Sequence, residues 1–158
     1  MKKYKLTEET LEIYGCTLHR IVALRDFGDV RKGNIGGWIE DEDNLSRDDD
    51  CWVCGDAKVC GDAEVCGDAE VYGDAKVEKK SDYIVFKNWW SSGRYFTWTR
   101  SNDKWRVGCF YGTGEELIKK AYNDSEEKGR EYERIVRYVE SIKEQTNEKA
   151  VQNVAFPS

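Results

Sequence analysis

Two residue types in this chain have the chemistry for catalysis or metal binding: cysteine, at Cys16, Cys51, Cys54, Cys60, Cys66 and Cys109, and a single histidine, His19. Cys51-Trp-Val-Cys54 is a C-x-x-C, and Cys60 and Cys66 follow at intervals of six. A zinc site needs its sulfurs about 2.3 Å from one point. A redox dithiol needs a helix start or a lowered thiol pKa beside it. Neither follows from this spacing, because residues six apart in a repeat occupy equivalent positions on successive faces. The expectation is free surface thiols, no metal and no cofactor. His19 is the sole imidazole that could serve as a general base. A base must reach the proton that it removes, and His19 lies in an apolar strand, Leu18-His-Arg-Ile-Val-Ala-Leu24, outside the repeat. No catalytic residue is assigned, and the chain is expected not to be an enzyme.

The elements behind these residues are set by an internal repeat: Val53-Cys-Gly-Asp-Ala-Lys, Val59-Cys-Gly-Asp-Ala-Glu, Val65-Cys-Gly-Asp-Ala-Glu and Val71-Tyr-Gly-Asp-Ala-Lys, closing on Val77. Self-similarity at a fixed period outranks any local propensity. Six residues are too few for a helical hairpin but enough for one short strand and a Gly-Asp corner. Valine suits the interior, and Asp56, Asp62, Asp68 and Asp74 suit the corners. Ile39 and Leu45 keep the period upstream, and a slip of two residues before Val53 places a loop at Asp48-Asp-Asp50. The residues before Gly36 are expected to cap the open end of the solenoid.

The repeat ends at Glu78, and the composition changes. Tyr83-Ile-Val-Phe-Lys, Arg94 to Arg100 and Lys104 to Tyr111 read as three antiparallel strands separated by Ser-Ser-Gly and Ser-Asn-Asp turns. Thr113-Gly-Glu-Glu116 has the capping-box pattern that starts a helix. A second helix, over about 126–145, places Tyr132, Ile135, Val136, Val139 and Ile142 on one stripe. The expected organisation is a cap and β-helix over 1–78, then an α+β module over 79–158 with strands at about 83–111 and helices at about 114–123 and 126–145.

The net charge of −6 conceals a strong asymmetry. Residues 1–39 carry +2, residues 40–74 carry −11 and residues 75–158 carry +3. An acidic block repels nucleic acid and steers basic partners. Residues 79–111 hold seven basic side chains against two acidic ones, with ten of the twenty aromatics. Basic groups among aromatics suit stacking on bases or a nucleotide-like ligand. The binding-surface candidates are therefore Trp89, Trp90, Arg94, Arg100, Lys104 and Arg106 on the sheet, and Asp48, Asp49 and Asp50 on the acidic loop. No apolar run is long enough to span a membrane, and polar Thr7-Glu-Glu after Met1-Lys-Lys-Tyr-Lys breaks any secretory signal. A reducing cytoplasm is the expected location.

The hexads resemble the left-handed β-helix pattern, in which an aliphatic residue and a small one four positions on face inward and three hexads make a triangular coil. Val59 with Ala63 and Val65 with Ala69 match it. Together with Ala23 to Gly33, Gly36-Gly-Trp-Ile-Glu40 and Asn44-Leu-Ser46, the repeat resembles phage and prophage hexapeptide-repeat proteins, often labelled polymer-forming. The Gly108-Cys-Phe-Tyr-Gly-Thr113 element is similar to a module attached to them. The resemblance implies a mainly β fold: a short left-handed parallel β-helix, then a three-stranded antiparallel meander and two helices. It implies no catalytic residues. The function expected is stoichiometric binding to a host protein, a nucleic-acid-processing defence complex being one candidate, so that inhibition of anti-CRISPR type is one form it could take. A nucleic-acid or nucleotide-binding module is the alternative, and an acyltransferase of hexapeptide type comes third. Exposed flat faces and the amphipathic last helix suggest a homodimer or trimer.

Overall fold

The computed structural model describes residues 2–13, 15–87 and 93–155, with side chains as far as residue 143. It is mainly β, with two C-terminal helices. Two compact units divide the chain, Met1–Gly112 and Thr113–Ser158.

The four hexads supply very short strands: β4 (Trp52–Val53), β5 (Lys58–Val59), β6 (Glu70–Val71) and β7 (Lys76–Val77). β3 (Ile35–Ile39) precedes them and runs parallel to β5. Pairing is in register at an interval of 18 residues: Val53 opposes Val71, and Val59 opposes Val77. A third line of pairing joins Leu45 to Val65. The chain thus returns to the same ladder after every third hexad. Cys54 N–H donates to Val71 O at 2.9 Å and Cys60 N–H to Val77 O at 3.0 Å, so neighbouring turns satisfy each other's backbone. Ile39–Val59 and Leu45–Val65 are 20 apart instead of 18, and the two extra residues lie in the segment containing Asp48–Asp50.

Inward positions follow the sequence pattern. Val53, Val59, Val65, Val71 and Val77 are completely buried, and Ala57, Ala63, Ala69 and Ala75 nearly so. Each such valine contributes about 1.5–3 kcal/mol of burial. Alanine four positions later leaves room for the valine of the adjoining ladder. Each hexad then turns on a glycine, with Gly55, Gly61, Gly67 and Gly73 at φ of +64 to +71°, a region that only glycine enters without strain.

The N-terminal end is closed by β1 (Tyr4–Ile13) and β2 (Cys16–Ala23), an antiparallel hairpin whose second strand pairs with β3. The resulting sheet has the order β1-β2-β3-β5-β7. Gly36 and Gly37 let β3 lie flush on the next turn. A Cβ on Gly36 would sit 2.6 Å from both Ile21 Cγ1 and Val53 O, and one on Gly37 would sit 2.7 Å from Ala57 O.

Among the described residues the meander has four strands, not the expected three. β8 (Tyr83–Lys87), β9 (Tyr95–Thr99), β10 (Lys104–Val107) and β11 (Phe110–Gly112) form a sheet of order β11-β10-β9-β8. The expected third strand, 104–111, is broken by Gly108 at φ +56°, which reverses the chain so that Phe110 pairs back on Val107. In the second unit α1 (Gly114–Asp124) begins with the anticipated capping box. Glu116 N–H donates to Thr113 Oγ1 at 3.2 Å, and Thr113 N–H donates to Glu116 Oε1 at 3.1 Å. α2 (Glu126–Ala155) runs ten residues beyond the expected end. Leu117, Ile118 and Ala121 of α1 are buried, as are Tyr132, Val136 and Val139 of α2.

Candidate functional site

Three of the predicted surface residues, Asp50, Arg94 and Arg106, come together in one cleft of about 240 Å³, beside Asp29, Asp68 and Glu70. The cleft is of mixed charge because the basic strands lie against the acidic ladder. Arg106 and Thr97 are register partners, so their side chains share a face of the sheet. That face meets the repeat. Thr97 Oγ1 accepts from Glu70 N–H at 3.0 Å, Arg106 Nε lies 3.1 Å from Glu70 Oε2, and its guanidinium stacks 4.5 Å over Tyr72.

The other basic candidates sit elsewhere. Arg100 lies 3.9 Å from Asp82 Oδ1 and donates to Ser81 O, while Lys104 lies over the Tyr111 ring. Asn102 Nδ2 donates to Asp74 Oδ1 at 2.9 Å, and this hydrogen bond holds the Asp74 carboxyl below its usual range. The acidic and basic segments thus answer each other within one chain. In the acidic loop, Asp49 Oδ2 accepts from Gly67 N–H at 3.0 Å and so clamps a corner of the repeat, and Asp48 lines a shallow polar depression with Glu42 and Glu64. Trp89 and Trp90 lie outside the described residues.

A larger concavity was not foreseen from the sequence. A groove of about 550 Å³ opens where Ile13, Cys16 and Leu18 of the hairpin face Lys58, Cys60 and Gly61 of one repeat corner and Lys76, Glu78 and Lys79 of the next. Its walls are predominantly apolar, made from Ile13, Leu18 and the two thiols, with ammonium and carboxylate groups towards the rim. The residues come from three separate stretches of chain, which is why no local motif announced it. The alternation of Ile13, Cys16 and Leu18 about a glycine turn, Gly15 at φ +80°, is the only local sign. His19 is not among the lining residues, and its Nδ1 lies 3.4 Å from Thr7 O.

The thiols are distributed as the period requires. Cys54, Cys60 and Cys66 each follow a buried valine on a different ladder. Cys54 is held by Val71 O, and Cys66 lies 3.7 Å from Tyr83 Oη. Among the described residues no set of three or more His, Cys, Asp or Glu side chains converges as metal ligands would. Burial pushes the Cys54 thiol up to about 12. Burial, with Glu78 nearby, pushes Cys60 to about 11. At neutral pH both are protonated and poor nucleophiles.

The fold at this point is that of a mainly β protein with a hexapeptide repeat. No protein-family model matches the chain. One curated protein is similar over a short stretch, an "Uncharacterized acetyltransferase YdcK" of Escherichia coli strain K12. It is 36% identical over 61 residues, covering 34% of this chain and 19% of that protein. The chain therefore spans about a fifth of the relative that it matches. No helix among the described residues is long and apolar enough to cross a membrane.

Proposed function

We propose that the protein is a binding module, a short left-handed hexapeptide β-helix with an attached sheet, which acts by occupying a protein partner and not by turning over a substrate. The observation that carries this reading is the groove between Cys16 and Lys79. Its volume of about 550 Å³ is in the range of recognition pockets, its walls are apolar, and its rim carries both signs of charge. An apolar side chain of a partner would fill the walls while the partner's polar backbone met the lysines and Glu78. The left-handed sense rests on the resemblance of the hexads to the left-handed β-helix pattern, with whose three-hexad coil the return to one ladder every 18 residues and the inward valine and alanine agree. A host protein, including a defence nuclease, is the partner class that the resemblance to phage proteins favours. Nucleic acid ranks lower, because Arg106 and Arg100 are engaged by Glu70 and Asp82.

The test is a pull-down of tagged protein from host lysate, run beside an Ile13→Lys variant that charges the groove wall at a half-buried position. A partner retained by the wild type and lost by the folded variant is expected. A partner retained equally by both would remove the groove from the account.

Similarity to an acetyltransferase favours acyl transfer as the second reading, with His19, which lies outside the groove, as the sole imidazole that could serve as the base. Release of free thiol from an acetyl thioester, measured with wild type and with His19→Ala, separates the two. Turnover that depends on His19 overturns the binding-module reading.

A further inference from the structure

Lys3 is buried more completely than any other charged side chain described. It is 1% exposed, and Cys51 beside it is fully buried. The lysine Nζ donates to Cys51 O at 2.6 Å and to Ser46 O at 3.0 Å, lies 3.5 Å from Cys51 Sγ, and sits 4.7 Å from the centre of the Phe27 ring. Its hydrogen-bond partners are thus carbonyls and a sulfur, with the Asp49 carboxylate acting on it only weakly and from outside that shell. A buried ammonium without a counter-ion is costly. Loss of hydration accordingly lowers the amine pKa and raises that of the Cys51 thiol. The amine and the thiol are therefore held in contact, without solvent between them. Neither the groove nor the mixed-charge cleft uses them.

We propose that Lys3 and Cys51 form a covalent modification site, joined by dioxygen through one inserted oxygen atom as an Nζ–O–Sγ bridge. The balance is R–NH2 + HS–R′ + O2 → R–NH–O–S–R′ + H2O. One N–H and the S–H bond break, and N–O and O–S bonds form. Nitrogen and sulfur each give up two electrons, and the second oxygen atom leaves as water with the two hydrogens.

Geometry selects this product over its competitors. A direct N–S bond would have to close a large part of the 3.5 Å gap, since a bond to sulfur such as the S–S of a disulfide is only about 2 Å long. An interposed oxygen needs far less movement. Full burial keeps out glutathione-sized thiols, so mixed disulfides are blocked at Cys51, whereas dioxygen is small and apolar enough to enter a packed core. Exposed Cys66 and Cys109 have no such protection. The bridge would tie the residue preceding β1 to the segment that leads into β4, making the hairpin cap a covalent part of the repeat.

The full chain, purified anaerobically with reductant, is exposed to 18O-labelled dioxygen and digested without reduction. The expected product is a cross-linked pair of peptides, one containing Lys3 and one containing Cys51. It is heavier than their sum by one labelled oxygen less two hydrogens, and it is split by dithiothreitol. Protein unfolded in guanidinium during exposure should give none, because only the fold supplies the proximity, and a folded Lys3→Arg variant should give none either. Recovery of Cys51 as free thiol or sulfinic acid with an unlinked Lys3 peptide overturns the proposal. A product lacking two hydrogens but without the label, or equal cross-linking in guanidinium, does the same.

Discussion

Replacing Gly67 and Gly73 in turn by alanine separates the conformational role of a corner from its packing role. Both lie in the left-handed region, at φ +65° and +71°, so each alanine carries a backbone penalty of about 1–2 kcal/mol. Their surroundings differ. Around Gly67 a Cβ would meet nothing within 4 Å, whereas on Gly73 it would overlap the Tyr111 hydroxyl and lie 2.5 Å from Cζ and 2.8 Å from Cε2. Tyr111 would have to withdraw. Its Oη accepts from Asn102 Nδ2 at 2.9 Å, and its ring makes an edge contact with Tyr72 at 4.9 Å between centroids. The hydrogen bond and the ring contact are each worth about 1 kcal/mol. Gly73→Ala should therefore cost about 2 kcal/mol more than Gly67→Ala. That corresponds to a further fall in Tm of about 8 °C for a unit of this size. All six tryptophans lie within residues 1–112, so tryptophan emission during thermal or urea unfolding reads this unit alone. In a Tyr111→Ala background the extra cost should vanish. Equal losses from the two alanines, or an excess that survives removal of Tyr111, would refute the docking of β11 on this corner.

Other outcomes follow from the thiols and the helices. Cys66 and Cys109 should react with a thiol reagent in the native state at pH 8, and Cys54 and Cys60 should react only slowly, as mass mapping after timed quenching would show. Because the Cys54 and Cys60 pKa values are raised on folding, their contribution to stability is intact below the ordinary thiol pKa. It is lost as pH climbs from about 9 towards 11–12, visible as a falling urea midpoint. In α2, Gly129→Ala would ordinarily stabilise a helix by about 1 kcal/mol. Here the added Cβ would collide with the Tyr122 ring, so helix melting followed by circular dichroism should occur at lower temperature in the variant.

The repeat was legible in the sequence because each position has one job. Valine and alanine face in, glycine takes positive φ, and aspartate marks the corner, four times over. The Thr113 capping box was legible for the same reason, being a contact between residues three apart. β1 was not legible. It is an edge strand with Lys5, Glu8, Glu9 and Glu12 on it, half of it exposed, and the alternation begun by Tyr4 and Leu6 is broken by a register shift between Leu6 and Thr10 before Leu11 and Ile13 resume it. β11 was hidden because one glycine, Gly108, divides what reads as a single strand. The basic and aromatic composition of residues 79–111 was visible, but its destination was not. Whether an arginine faces a partner or the acidic wall of its own chain depends on pairs such as Arg106 and Glu70, which are 36 positions apart. The groove was out of reach for the same reason, since Cys16, Cys60 and Lys79 meet only once the ladders have formed.

The 18-residue return also governs how such a chain can grow. Duplicating three hexads would slip in one whole storey and leave Tyr111 opposite the same kind of wall. Duplicating one hexad would leave the interior equally content, yet it would rotate everything downstream by a third of a turn. If the copy followed Lys76, Glu70 would then be carried away from the arginine that meets it. Tandem repeats of this kind lengthen and shorten readily, and for this one only whole-storey changes preserve the neighbours on which its attached sheet depends.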